Sequence, residues 1–203
     1  MPSEIEVKLS LTETGFQRMI SLAGPPVRTL RQTNHYFIIK FSSGHQRLRL
    51  RLEEDNSTSS LSGFLTIKQN GKLKKGVSQT DEFEIPIDSS CIDHFISHPN
   101  DLLSDSFVQE ITKCRPSDEV SYLGSLLNIR YVLRVLHFPY SIEMDETHFP
   151  LSVSYSLECE ASIEEINEVK SFLENFLTKN DISFGYEKIG KMKRFLKEIN
   201  AGR

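Results

Sequence analysis

The feature that most constrains this chain is an alternation of charged and apolar residues that recurs from segment to segment. Side chains along a β-strand point alternately to opposite faces of a sheet, so a period of two places the charges on one face. Glu4, Glu6 and Lys8 share one such face, and Ile5 and Val7 share the other. The same period predicts half-buried strands at residues 4–11, 47–52, 64–68, 82–87, 129–135, 141–145 and 155–161. The chain is therefore expected to form a sheet with one strongly charged face.

Amphipathic helices are expected between and after these strands. They are predicted at residues 13–22, 163–177 and 190–199, with two or three shorter ones within 91–127. Thr12 is a suitable N-cap for the first, Ser162 and Glu165 form a capping box, and Ser117 is a further N-cap candidate. Strands, a helical insert and more strands predict an antiparallel α+β architecture.

Turn signals divide the strands. Residues 36–41 are a further apolar strand candidate, and the polar stretch 53–63 is predicted to be a long connection. Asn70-Gly71 predicts a hairpin turn, because both residues tolerate a positive φ. The lysines that follow are expected at a solvated hairpin tip: Lys72, Lys74 and Lys75.

Composition limits the classes of protein that the chain can belong to. Its 203 residues suit one domain, predicted to span 1–203, and the 24 basic and 28 acidic residues give a net charge of −4. No overall positive field would attract nucleic acid or an anionic membrane, and no apolar run predicts a membrane span. Three widely spaced cysteines favour a reducing compartment, so a cytoplasmic location is expected.

The charged face has two readings. For a single strand, it is the solvated face of an ordinary sheet. Seven such strands favour a sheet that closes into a barrel with its charges inward and its apolar face packed against helices. A barrel of about eight strands leaves room for a small ligand. The predicted fold is therefore an eight-stranded antiparallel β-barrel, or tunnel, with helices outside.

The residue types on this face predict the chemistry of a ligand. Carboxylates supply the all-oxygen ligation that suits Mg²⁺ or Mn²⁺ better than zinc. Arginine offers planar forked donors to phosphate oxygens, and lysine acts as a mobile point charge. Phosphoryl transfer depends mainly on positioning and charge neutralisation, so metal-binding and basic faces in one tunnel suffice for catalysis.

At its start the chain resembles a known family. Glu4-Ile5-Glu6-Val7-Lys8 is similar to the Glu-x-Glu-x-Lys signature of the CYTH superfamily, which includes triphosphate tunnel metalloenzymes, thiamine triphosphatases and class IV adenylyl cyclases. Further matches follow in family order at Arg49, Arg51, Lys68, Glu82, Glu84, Arg130, Glu143, Asp145, Glu158, Glu160 and Lys191. The resemblance covers nearly the whole chain, roughly residues 4–195.

The resemblance implies an eight-stranded antiparallel tunnel that holds a metal-bound triphosphate. It implies that the metal ligands are Glu4, Glu6, Glu158 and Glu160. The implied phosphate-binding residues are Lys8, Arg49, Arg51, Lys68, Arg130 and Lys191. Lys191 and Glu6 are the expected catalytic residues, and the supporting tunnel carboxylates are Glu82, Glu84, Glu143 and Asp145.

The expected function is metal-dependent hydrolysis of the terminal phosphoanhydride of a small triphosphate, with inorganic tripolyphosphate as first choice. Thiamine triphosphatase, nucleoside or RNA triphosphatase and adenylyl cyclase-like lyase stay open as alternatives. The absence of tryptophan argues mildly against a reader of bases. A non-catalytic polyphosphate- or organophosphate-binding module is a second class, although its carboxylates would oppose anion binding. The sequence does not indicate an oligomeric state.

Overall fold

The structure is a computed structural model that describes residues 3–42 and 44–201. Its strands are β1 (Ser3–Leu11), β2 (Arg28–Phe41), β3 (Gly44–Asp55), β4 (Ser60–Lys74), β5 (Val77–Ile87), β6 (Glu119–Arg134), β7 (Ser141–His148), β8 (Val153–Glu160) and β9 (Phe184–Tyr186). Its α-helices are α1 (Glu13–Ala23), α2 (Cys91–Ser97), α3 (Ser106–Thr112), α4 (Ile166–Lys179) and α5 (Lys191–Ala201), with a 3₁₀ helix at Pro99–Ser104. No helix formed by these residues is long and apolar enough to cross a membrane.

The first eight strands close into an antiparallel barrel. Their order is β5-β4-β3-β2-β6-β7-β8-β1, and β1 also pairs with β5, which joins the two ends of the sheet. The register sets Glu6 opposite Glu160 and Lys8 opposite Glu158. The short β9 pairs with the last part of β1, beyond the segment that pairs with β5. The predicted eight-stranded antiparallel barrel with helices outside is thus confirmed.

Two apolar clusters cover the outside of the barrel. The first joins β1, β7 and β8 to α1 and α4, through Val7, Met144 and Leu157 with Phe16 and Leu173. The second joins β2, β3 and β4 to the helices between β5 and β6, through residues such as Phe37, Leu50, Ile67, Ile92 and Leu102. Because burial of these faces drives folding, the alternate polar positions are left to face the barrel interior.

Local signals place the helix starts with one correction. Thr12 caps α1 as predicted, its Oγ1 accepting a hydrogen bond from the Gly15 N–H at 3.1 Å. At α4 the Ser162 hydroxyl instead donates to the Glu165 side chain at 2.7 Å, and the helix begins at Ile166. The Glu165 carboxylate also accepts a hydrogen bond from the Ser162 backbone, so one half of the predicted capping box forms, while the Ser162 hydroxyl caps no helix N–H and residues 163–165 are a turn.

The prediction of a hairpin turn at Asn70-Gly71 was wrong. β4 continues to Lys74, and its register with β5 shifts between Gln69 and Lys72, as at a β-bulge. Lys75 and Gly76 make the turn instead, with φ values of 49° and 76°. Two consecutive left-handed residues fit a two-residue hairpin loop, while Asn70 uses its positive φ of 53° inside the bulge. The predicted tip lysines Lys72, Lys74 and Lys75 are exposed.

Strand pairing overrides two further predictions. β3 extends to Asp55 and β4 begins at Ser60, so the long connection predicted at 53–63 shrinks to residues 56–59. Ser117 is not a helix cap, because the helical insert ends at Thr112 and β6 begins at Glu119. The segment 119–127 pairs with β2, whose own polar first half begins at Arg28.

Gly124 is where β6 makes room for α5. It lies opposite Tyr36 at φ 124°, and a Cβ there would lie 3.1 Å from Cζ of the buried Phe195. Gly124→Ala is expected to lower the free energy of unfolding by about 1–3 kcal/mol through backbone strain and displacement of Phe195. Urea unfolding measures this loss.

Gly71→Ala is the matched control for this substitution. A Cβ at Gly71 would meet only Thr80, at 3.4 Å. Its unfolding free energy should stay within about 0.5 kcal/mol of the unsubstituted chain. Equal losses at the two glycines would contradict the assignment of strain to Gly124.

Candidate functional site

The barrel encloses a cavity of about 1110 Å³. All of the charged residues predicted for the site line it except Asp145, which is completely buried behind Arg130. The structure therefore brings the predicted set together, although its members come from seven strands and one helix. Alternation along each strand is the local reason, since the apolar partners of these residues point to the outer clusters.

Closure of the barrel sets a basic wall across from an acidic one. Three strands separate β3 from β8 in either direction around the barrel, so these two strands lie on opposite sides. Arg49 and Arg51 project from β3, and Glu158 and Glu160 project from β8. A ligand in the cavity would therefore meet guanidinium groups on one side and carboxylates on the other.

Arg130 is the centre of the ion-pair network at the acidic wall. Its Nε and Nη2 donate to the two carboxylate oxygens of Asp145, both at 2.7 Å, in a bidentate pair. Nη2 also donates to Glu158 at 2.9 Å, and Nη1 pairs with Glu143. Burial would lower the pKa of Arg130, but these carboxylates raise it well above its ordinary value, so the guanidinium stays charged.

Two lysines complete this network. Lys191, the first residue of α5, pairs with Asp145 and lies 3.0 Å from the Glu158 carboxylate. Lys8 lies 2.8 Å from Glu6 and 3.4 Å from Glu158. Burial would raise the pKa of Glu158, but Lys191, Lys8 and Arg130 hold it well below its ordinary value. Glu158 is therefore ionised and shared among three cations.

Beside Glu158 lies a cluster of carboxylates that have too few positively charged partners. Glu160 makes no direct ion pair among the described residues, and partial burial together with Glu4, Glu143 and Glu6 raises its pKa to about 7. Burial is also the main cause that raises the pKa of Glu4 and of Glu6, although each contacts a lysine. An added cation would relieve this repulsion, so the all-oxygen donor set fits a hard divalent metal.

The carboxylates do not form a ready coordination shell. No group of three Asp, Glu, His or Cys side chains within residues 3–42 and 44–201 is placed to hold a metal ion. The reason lies in the ion pairs, because Lys68 contacts Glu4 at 2.7 Å and Lys8 and Lys191 contact Glu6 and Glu158. Lysine ammonium groups thus stand where a cation would compensate these carboxylates.

The arginines of the opposite wall are crowded, and the carboxylates that face Arg49 and Arg51 lie 3.3 to 3.9 Å away. Burial, with Arg49 and Arg130 nearby, lowers the pKa of Arg51 to about 10. Arg49 donates to Thr66 at 3.1 Å and faces Glu82 and Glu84 at 3.4 and 3.3 Å, yet its buried Nε has no hydrogen-bond partner. An unpartnered buried donor beside crowded arginines favours an anion in this part of the cavity.

Sequence reasoning missed the neutral part of the site. Buried amides link the basic and acidic walls, with Asn128 donating to Gln32 at 2.9 Å and to Asp145 at 3.0 Å, and Arg51 donating to Asn34 at 2.9 Å. Gln32 and Asn34 follow the period of two in the first half of β2, which offered a signal. Leu30, Gln32 and Asn34 are uncharged, so this segment was not recognised as a strand facing the interior.

Comparison with known proteins identifies the family. The model of the CYTH domain matches residues 2–196, so the chain belongs to the CYTH domain family. A search of curated protein sequences finds no match.

Solved structures of similar fold support the same assignment. A putative adenylyl cyclase from Hippeastrum, described as having a dominant triphosphatase activity, is 27% identical with a TM-score of 0.78, and the match covers 96% of each chain. A Pyrococcus horikoshii protein is 17% identical with a TM-score of 0.66, over 95% of this chain and 99% of that one. A putative adenylate cyclase from Bacillus halodurans is 20% identical with a TM-score of 0.61, over 96% and 99%. The last two establish similarity of fold.

The buried Asp145 should make stability depend on acid pH. Burial would raise its pKa, but Arg130 and Lys191 hold it at about 2, below the model-peptide value of 3.8. Its ionised form therefore stabilises the folded chain above about pH 4, and this contribution is lost as the pH falls towards 2. Asp145→Asn should lower the free energy of unfolding, with roughly 1 kcal/mol of the loss disappearing between pH 7 and 3.

Urea unfolding across this pH range tests the expectation. Asp181→Asn is the control, since Asp181 is exposed and lies 3.7 Å from a solvated Arg18. That variant should differ from the unsubstituted chain by less than about 0.5 kcal/mol at every pH. A constant loss for Asp145→Asn from pH 7 to 3 would contradict the assignment of a low pKa to its carboxyl.

Proposed function

We propose that this protein is a divalent-metal-dependent triphosphatase that hydrolyses inorganic tripolyphosphate to phosphate and pyrophosphate. Membership of the CYTH domain family supports triphosphate chemistry, as does the dominant triphosphatase activity described for the Hippeastrum relative. The proposal goes beyond both in naming the substrate and in assigning roles to residues.

One observation carries the proposal: the cavity sets crowded arginines, one of them with an unpartnered buried Nε, across from a wall of crowded carboxylates. Arg49 has a buried unpartnered Nε, and the pKa of Arg51 is lowered to about 10 by burial and by neighbouring arginines. Across the barrel, the pKa of Glu160 is raised to about 7 by partial burial and by neighbouring carboxylates. A polyanion relieves the first wall and a cation relieves the second, so a metal-bound triphosphate satisfies both.

Each basic residue of the cavity binds some of the phosphate oxygens. Arg49 and Arg51 present forked donors from β3, and Arg130 is held in a fixed orientation by its bidentate pair with Asp145. Lys8, Lys68 and Lys191 are point charges that exchange their present carboxylate partners for phosphate. Glu82, Glu84 and Glu143 support this arrangement by holding Arg49, Lys68 and Arg130 in place.

Four carboxylates are the proposed metal ligands: Glu4, Glu6, Glu158 and Glu160. Their hard oxygen donors suit Mg²⁺ or Mn²⁺. The cation, when bound, neutralises charge that develops on the transferred phosphoryl group. Glu6 and Lys191 are the proposed catalytic residues, and Glu6 orients the attacking water beside the metal site. Lys191 binds the phosphate that is released.

A panel of triphosphates tests the proposal. Tripolyphosphate, ATP, thiamine triphosphate and 5′-triphosphorylated RNA are supplied with Mg²⁺, Mn²⁺ or a chelator, and release of phosphate, pyrophosphate and cyclic nucleotide is measured. We expect the highest kcat/KM for tripolyphosphate, only with metal, and no cyclic nucleotide. Binding without turnover would contradict the proposal and favour a binding module, and pyrophosphate with cyclic nucleotide from ATP would favour a cyclase.

An arginine variant ties the activity to the cavity. Arg51→Lys keeps the positive charge but removes the two parallel N–H donors of the guanidinium group. It should lower kcat/KM for tripolyphosphate by about 10²-fold. Arg18→Lys, at an exposed arginine that faces Asp181, is the control and should keep full activity. Undiminished activity of Arg51→Lys would exclude the basic wall as the phosphate site.

A further inference from the structure

The helix that carries Lys191 meets the barrel a second time, outside the cavity. Lys191, Arg194, Phe195 and Glu198 are spaced by three, four and seven residues, so they lie on one face of α5. The first of them enters the cavity, and the last lies two turns further on, against residues 149–152 between β7 and β8.

Glu198 joins α5 to this connection through a set of hydrogen bonds. One carboxylate oxygen accepts the Leu151 N–H at 2.9 Å, and the other accepts the Ser152 hydroxyl and Arg194 Nε, the latter at 3.2 Å. Arg194 in turn donates from Nη2 to the Ser152 hydroxyl oxygen at 2.9 Å. Its guanidinium lies 4.6 Å from the centre of the Phe149 ring. Three side chains and a backbone amide thus fix one end of the helix.

The same hairpin carries the partners of Lys191. Asp145 lies on β7 and Glu158 on β8, and both contact the Lys191 ammonium. α5 is therefore attached to the β7–β8 hairpin at two places, at the connection through Glu198 and at the cavity wall through Lys191. Because the helix between them is rigid, the first attachment sets where Lys191 lies.

The remaining contacts of α5 do not fix its position as sharply. Phe195 packs against Tyr36 and Leu126, with Met192 and Ile199 at the edge of the same cluster. Apolar burial stabilises the docked helix, but it is non-directional and tolerates small rotations and shifts. Directional hydrogen bonds are what distinguish one placement of the helix from its neighbours.

We propose that Glu198 is a positioning residue, which holds α5 so that the Lys191 ammonium points at the site of the triphosphate. The inference rests on the proposed function for its kinetic consequences, while the placement of Lys191 can be measured without turnover. Glu198 does not line the cavity, so it acts on a ligand there through the start of α5, where Lys191 is the residue that pairs with the cavity carboxylates.

A double-mutant cycle on tripolyphosphate hydrolysis tests this coupling. Lys191→Ala should lower kcat/KM by about 10²-fold, as removal of one donor to developing charge does. Glu198→Ala should lower it by roughly tenfold through misplacement of the same lysine. The double variant should then be no worse than Lys191→Ala, because both substitutions remove one interaction. If kcat/KM of the double variant falls by the product of the two single losses, the proposal is overturned.

Two further variants separate positioning from simple destabilisation. Glu198→Gln keeps a carbonyl oxygen that accepts the Leu151 N–H, and its amide can donate to the Ser152 hydroxyl oxygen, but the bond from Arg194 is lost, so it should restore part of the activity. Glu174→Ala removes a comparable set on α4, an ion pair with Lys170 at 3.6 Å and a bond from Tyr186 at 2.9 Å, and should leave kcat/KM unchanged. An equal loss for Glu198→Gln and Glu198→Ala would overturn the proposal.

Chemical labelling reports the position of Lys191 whether or not the chain is a triphosphatase. The protein is acetylated with a limiting amount of anhydride, and each lysine is quantified by mass spectrometry. In Glu198→Ala, labelling of Lys191 should rise several-fold towards that of the exposed Lys193, whose own labelling stays constant. Unchanged labelling of Lys191 overturns the inference. Increased labelling in a chain that hydrolyses no triphosphate refutes the proposed function and leaves the positioning role standing.

Discussion

The interaction on which the structure depends is the contact of Arg130 with three carboxylates inside the barrel. Asp145 and Glu143 on β7 and Glu158 on β8 all bind one guanidinium from β6. Breaking a buried pair by removing one partner leaves an uncompensated charge, which costs several kcal/mol. The interior is therefore a set of charges that must remain matched, and the apolar faces of the same strands are directed outward to α1, α4 and the helical insert.

The same set of interior charges determines which ligands the barrel can bind. The interior carboxylates are neutralised by nearby lysines: Lys8, Lys68 and Lys191 form ion pairs with carboxylates of β1, β5, β7 and β8. Compensation is incomplete on both walls, since burial and then neighbouring like charges lower the pKa of Arg51 and raise the pKa of Glu160. A divalent cation and a polyphosphate can replace these ion-pair partners together, so each ligand should strengthen binding of the other.

The alternation of charged and apolar residues predicted both the barrel and the residues that line its cavity, because the alternation within each strand shows which side chains face the interior. Glu4, Glu6 and Lys8 are inside for the same local reason that Val7 is outside. Long-range pairing was not predictable in this way. Asn70-Gly71 has the local signature of a turn, but the register with β5 makes it a bulge. The first half of β2 is a strand because it pairs with residues 126–132 of β6. The segment after Ser117 is a strand because residues 119–125 pair with residues 35–40 of β2. Glu198 carries no sequence signal, since its partners lie on a connection distant in the chain.

A crystal structure with Mn²⁺ and a non-hydrolysable tripolyphosphate analogue tests most directly whether the barrel binds a metal and a triphosphate together. We expect an anomalous manganese peak at Glu4, Glu6, Glu158 and Glu160, with the phosphates bound by Arg49, Arg51 and Arg130. We also expect the ammonium groups of Lys8 and Lys191 to turn from Glu158 towards phosphate. Manganese or the analogue bound outside the barrel, with the internal ion pairs intact, would rule out the proposed site.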